Sequence, residues 1–215
     1  MRTQIMKINP LRTEQNKTRA VIEVLQREGV IVYPTDTFYG IGASCYSEKA
    51  VDRVYRLKKR KPFKPIPILV SDTDMVKDIT VDIPSLFWNL ISKFWPGPLT
   101  IVLKASTKLP ESLFGPHRTI GVRQPALLWL EELLGQAAFP ITATSANISG
   151  NKEIASPEKI KDVFYNKVDL IIDGGKTKSI LPSTVIDLTS EKPVILREGA
   201  VARSQLEKHL KEIIA

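Results

Sequence analysis

The sequence predicts an α/β fold, a twisted mixed sheet flanked by helices. Two observations carry this. Short β-branched or apolar runs ("VIVYP", "IPILV", "LTIVL", "VDLII") alternate along the chain with longer segments of helical periodicity. No Gly/Ser spacer, long charged tract or repeat divides the 215 residues, so one domain over 1–215 is expected.

The first helix is read over 13–29, where Ala20, Val21, Val24 and Leu25 share a face and Gly29 supplies a C-terminal stop. "VIVYP" follows as a strand. "SEKAVDRVYRLKKR" reads as a helix capped by Ser47, with Val51, Val54, Tyr55 and Leu57 inward. "IPILVS" is a strand, and helices are expected around 73–78 and 84–94. "PLTIVLKA" and "TIGVRQP" are strands, separated by polar "STKLPES"; "ALLWLEELLG" is a helix. "PITATSA" is read as one strand. The helix of "SPEKIKDVF" has Ser156 as cap and Pro157 in its first turn. "VDLIIDGG", "PSTVIDL" and "PVILREG" are three short strands before a closing helix over 202–214.

No apolar run is long enough to span a membrane, and no secretory leader is evident. Cys45 is alone, which excludes an internal disulfide and suits a reducing cytoplasm. One Cys and two His argue against a zinc site. A net charge of +8 points to anionic partners, although solubility alone would also explain it.

No P-loop, GxGxxG or GxSxG motif is present. Polar residues cluster instead where strands end, the usual ligand side of an α/β sheet. In "YPTDTFYGIG", Thr35 and Thr37 flank Asp36 and two glycines follow; this is either a small polar ligand site or a turn into a second strand. In "RLKKRKPFKPIP", six of the first nine residues are basic and three prolines follow. Cations at a helix C-terminus suit the macrodipole. The prolines, however, lower the entropy of holding Arg60 and Lys64 on a polyphosphate. Arg56 and Lys59 read as solvated. Arg123 lies among Ile and Val with Thr119 on the same side; its partner is a substrate carboxylate or a structural acid. "TATSANISG" ends a strand in Ser145 and Asn147, a turn cap or a phosphate or ribose site. Ser183 and Arg197 meet on one rim if "PSTVIDL" and "PVILREG" form a hairpin, or are solvated edge residues otherwise. No His, Cys or paired carboxylate offers a general base or nucleophile, so no catalytic residue is assigned. Hydroxyls, amides and cations suit catalysis by positioning and charge stabilisation.

Six of these stretches, in this order, resemble the YrdC-like threonylcarbamoyl-AMP synthases: "GVIVYPTDTFYGIG", "LKKRKPFKPIPILVSD", "RTIGVRQP", "TSANISG", "PSTVIDL" and "LREG". The likeness spans about residues 18–200. It implies a sheet around a positively charged cavity. It further implies formation of threonylcarbamoyl-adenylate and pyrophosphate from L-threonine, bicarbonate and ATP, with magnesium on the phosphates. A separate transferase complex would then modify tRNA beside the anticodon. By resemblance, Thr37, Arg123 and Ser183, with Thr35 beside them, are threonine-binding. Lys58, Arg60, Lys64, Thr119, Ser145, Asn147 and Arg197 are ATP-binding. No resident metal is implied. Some members carry His where Leu69 stands, and Asn where Lys64 stands. Others continue into a further domain beyond the point where this chain ends. The alternative is a non-catalytic protein of the YciO-like branch that binds tRNA or double-stranded RNA.

Overall fold

The computed structural model describes residues 2–60, 65–114, 116–177 and 181–214. The chain opens with β1 (Gln4–Lys7), α1 (Gln15–Gln26), β2 (Ile31–Tyr33), β3 (Gly40–Gly42) and α2 (Glu48–Lys58). It continues through β4 (Ile68–Leu69), α3 (Thr73–Ile79), β5 (Thr80–Val81), α4 (Ser85–Phe94), β6 (Leu99–Ala105) and β7 (Thr119–Arg123). Then come α5 (Leu128–Ala137), β8 (Ile141–Thr142), β9 (Thr144–Ser145), α6 (Pro157–Phe164), β10 (Leu170–Asp173), β11 (Thr184–Asp187), β12 (Val194–Arg197) and α7 (Arg203–Ile214).

The mixed α/β architecture is the one the sequence implies, divided into two sheets. One has the order β1-β10-β2-β3-β9, the other β12-β11-β6-β7-β4-β8 with β5 on β6. Both mix parallel and antiparallel pairs: β10 lies parallel to β2, while β2 and β3 are antiparallel. β1 had no sequence signal, because its alternation is weak and most of it is exposed at a sheet edge. It is held by parallel pairing from Gln4 against Leu170 to Lys7 against Asp173.

"PITATSA" is not one strand. Ile141 and Thr142 pair with β4 in one sheet, and Thr144 and Ser145 pair with β3 in the other. Ala143 makes the crossing and donates its N–H to the Pro67 carbonyl at 2.6 Å. The Thr142 hydroxyl accepts from the Ala43 N–H at 3.0 Å, and its carbonyl from the Tyr33 hydroxyl at 2.8 Å. Thr142, in one sheet, therefore satisfies polar groups of the other across the seam.

Two apolar cores flank the seam. α1 and α5 bury Val21, Leu25, Trp129, Leu130 and Leu133 against β2 and β10. α2, α3, α4 and α6 cover the rest with Val51, Val54, Val76, Phe87 and Ile160. Ser47 caps α2 as expected, its hydroxyl accepting from the Ala50 N–H at 3.2 Å. α2 ends in a Schellman motif. Lys59 adopts φ 50°, the Arg60 N–H reaches the Tyr55 carbonyl and the Lys59 N–H reaches that of Arg56. The motif turns Arg60 off the helix and leaves Arg56 and Lys59 exposed.

Candidate active site

A cavity of about 140 Å³ opens at the seam between the sheets. Its floor is apolar: Tyr33, Pro67, Leu69 and Ala143. Gly40 and Gly42 make room for Tyr33, since a Cβ at Gly42 would lie 2.5 Å from the ring. The glycines of "YGIG" therefore serve the Tyr33 ring on which the cavity is built.

Three guanidiniums converge on this floor from three elements. Arg60 enters after α2, Arg123 from the end of β7, and Arg197 from the end of β12. Arg60 donates from Nη2 to the Pro65 carbonyl at 2.8 Å. Arg197 donates through Nε and Nη2 to the Ser183 carbonyl, at 3.1 and 2.8 Å, and through Nη2 to the Ser183 hydroxyl at 3.1 Å. Gly199 permits this approach, because a Cβ there would lie 2.2 Å from the Pro182 carbonyl oxygen. Ser183 and Arg197 thus share one rim, as the hairpin reading requires, with β11 and β12 antiparallel. Burial lowers the pKa of both Arg60 and Arg197, and the charge of Arg197 adds to the effect on Arg60. Glu153 opposes the shift at Arg197. Cations gathered this closely favour a multiply charged anion.

Arg123 has a structural acid as partner. Its Nη2 donates to Asp36 Oδ2 at 2.5 Å, its Nε to the Gly97 carbonyl at 2.9 Å, and its Nη1 approaches the Thr37 hydroxyl at 3.4 Å. Thr35 closes the same turn, donating to the Phe38 carbonyl at 2.7 Å and accepting from the Thr37 N–H at 3.0 Å. Thr35, Thr37, Ser145 and Ser183 all line the cavity, together with Thr100, Thr144 and Glu153.

Three of the expected ATP residues stand elsewhere. Lys58 is 1% exposed and does not line the cavity. Its ammonium donates to the Ser145 carbonyl, to the Asn147 carbonyl at 2.9 Å and to Asn147 Oδ1 at 2.8 Å. Asn147 is buried in the same turn, accepting from the Ser145 hydroxyl at 2.8 Å and donating to the Asn151 carbonyl at 2.6 Å. Its side chain acts as a turn cap. Thr119 pairs with Lys104 at the other end of β7 from Arg123 and is not among the lining residues. Lys64 lies outside the described residues.

Sequence reasoning missed Tyr33, Thr100, Thr144 and Glu153. Thr100 had a signal, a lone hydroxyl inside "LTIVL". It is buried and shares a 2.9 Å hydrogen bond with the Ser183 hydroxyl. Glu153 had none, lying in an exposed polar loop.

The Sua5/YciO/YrdC family model, described as telomere recombination, matches residues 23–199. The chain belongs to this family. A threonylcarbamoyl-AMP synthase of Pyrococcus abyssi is 37% identical over 94% of this chain and 59% of its own length. The chain therefore spans about three-fifths of that relative. The structure of P. abyssi Sua5 complexed with L-threonine superposes with a TM-score of 0.93 at 36% identity, covering 98% of this chain and 62% of that one. A putative threonylcarbamoyl-AMP synthase of Methanocaldococcus jannaschii is 36% identical over 97% of this chain and 99% of its own. Escherichia coli YciO, uncharacterised, is 32% identical, and its crystal structure has a TM-score of 0.83 over 92% of this chain and 96% of that one.

Proposed function

We propose that this member of the Sua5/YciO/YrdC family makes threonylcarbamoyl-AMP from L-threonine, bicarbonate and ATP. The observation that carries the reading is the convergence of Arg60, Arg123 and Arg197 with a ring of hydroxyls on one cavity. The relatives named as synthases and the P. abyssi complex with L-threonine support it.

Thr35, Thr37, Arg123 and Ser183 are assigned to threonine, with Leu69 and Tyr33 as apolar floor. The cavity volume of about 140 Å³ lies below the roughly 300–1,000 Å³ of sites for drug-sized ligands. That suits an amino acid and its carbamate, while a nucleotide extends over the exposed rim at Arg197 and Glu153. Arg60, Ser145 and Arg197 are assigned to its phosphates. The threonine amine takes up bicarbonate carbon as a carbamate, with loss of water. A carbamate oxygen then attacks the α-phosphorus, and pyrophosphate leaves. The protein contributes by orienting the carbamate and by stabilising charge on the phosphoryl oxygens.

Among the described residues no cluster of three or more His, Cys, Asp or Glu could hold a metal. Magnesium is accordingly assigned as a companion of ATP held chiefly by phosphate oxygens, with Glu153 the acidic side chain on the cavity wall. Among the described residues no helix is long and apolar enough to cross a membrane. A cytoplasmic setting, and transfer of the product to tRNA by a separate complex, complete the reading.

Pyrophosphate release from ATP, with and without L-threonine and bicarbonate, tests the proposal. Release that requires both co-substrates is expected. Release indifferent to threonine overturns it, and tRNA binding with steep salt dependence would then support the RNA-binding alternative.

A further inference from the structure

Lys58 is a buried lysine that does not line the cavity yet ties the end of α2, before Arg60, to the turn that carries Ser145. Its ammonium holds the Ser145 and Asn147 carbonyls and the Asn147 amide oxygen. Its own carbonyl accepts from the Ser149 N–H at 2.8 Å. Both ends of this residue therefore bolt the turn to the last turn of α2, two residues before Arg60. The Asn147 oxygen that receives Lys58 is also the acceptor of the Ser145 hydroxyl. Three donors on one ammonium match three oxygens in the turn.

We infer that Lys58 is a positioning residue for the nucleotide side of the cavity. It sets the separation of Arg60 and Ser145 and the direction of the Ser145 hydroxyl, without touching the ligand. The inference rests on the assignment of Arg60 and Ser145 to phosphate proposed above. A buried site suits the task, because removing the ammonium leaves several buried oxygens without their donor and frees the turn to move. The Lys58 ammonium reaches the turn that carries Ser145, on the nucleotide side of the cavity and opposite in assignment to Thr35, Thr37, Arg123 and Ser183. Loss of Lys58 should therefore divide the two substrates.

The test is calorimetric binding of a non-hydrolysable ATP analogue and of L-threonine, each alone, to wild type, Lys58→Met, Ser145→Ala and the double variant, with circular dichroism on each. Lys58→Met should weaken analogue binding at least tenfold and leave threonine binding within twofold. Its effect should multiply less than fully with that of Ser145→Ala, because part of it acts through the Ser145 hydroxyl. Asn147→Ala, which removes one of the three acceptors, should show a smaller loss of the same kind and guards against a Lys58→Met protein that does not fold. Fully multiplying losses would mean that Lys58 acts independently of the Ser145 turn, and equal losses for both ligands would make it a general fold residue. Either result overturns the inference, as does unchanged analogue binding. A wild type that binds threonine but no analogue overturns the nucleotide reading itself, and the inference with it.

Discussion

Arg123 Nη2 lies 2.5 Å from Asp36 Oδ2, which joins the end of β7 to the turn after β2 beside the cavity. Both side chains are largely buried, at 8% and 13% exposure. Replacing Asp36 with Asn leaves the Arg123 charge without its counter-ion. A loss of about 3 kcal/mol in unfolding free energy is expected from the cost of breaking a buried pair on one side. Urea denaturation measures it, and a loss below about 1 kcal/mol would place the pair in the exposed class.

Arg60→Ala should lower threonine-dependent pyrophosphate release about 10- to 100-fold, the range for losing one or two charge-assisted hydrogen bonds. Arg60 is only half-buried after the helix end, so its removal should leave the melting temperature nearly unchanged. An unaltered rate would return the basic run to surface solvation.

Gly199→Ala should damage both substrates together. The added Cβ meets the backbone of Pro182 and Ser183, which cannot rotate away as a side chain would. Ser183 and Arg197 therefore move together. A fall in apparent affinity for threonine and for ATP is expected, with overpacking costing about 1–3 kcal/mol of stability. Steady-state titration of each substrate separates this from Arg60→Ala, which should leave threonine affinity intact.

The protein should lose stability between about pH 10 and pH 12. Burial pushes the Tyr39 hydroxyl up to about 12. A raised folded pKa means that the folded state keeps its proton where the unfolded chain ionises. The contribution is complete below the unfolded value near 10 and is lost as pH rises toward 12. Tyr39→Phe should flatten this alkaline decline in a series of urea unfolding curves.

Cys45 should resist thiol reagents in the folded protein. It is fully buried, and burial raises its pKa well above the ordinary thiol value. Labelling should track global unfolding; fast labelling of native protein would show that the seam opens locally.

Much of the site is legible in the sequence because its residues sit where strands end. Thr35, Thr37, Ser145, Ser183 and Arg197 follow or open β runs, and the sheets bring those ends to one seam. "LTIVL" also showed the lone hydroxyl of Thr100, but nothing in the sequence directed it toward Ser183. Glu153 came from a loop whose position depends on α6 and β9, and no local pattern encodes that. For Lys58 and Asn147 the motif is visible and the role is not. Spacing shows that a lysine precedes an arginine by two residues, but only the Schellman turn after α2 decides that Arg60 faces the cavity while Lys58 stays behind it.

The sequence by itself determined the interleaved α/β class, most helices with the caps Ser47 and Ser156, and the polar groups available for binding, because hydrophobic period and capping are local properties; the end of α1 was not legible in the same way, since Glu28 rather than Gly29 takes the left-handed conformation. Tertiary structure decided that "PITATSA" crosses between two sheets, that Asp36 pairs with Arg123, and that Lys58 braces the Ser145–Asn147 turn. Those outcomes depend on which backbone oxygens and charges meet across long stretches of chain, and burial forces each to find a partner that no local pattern names.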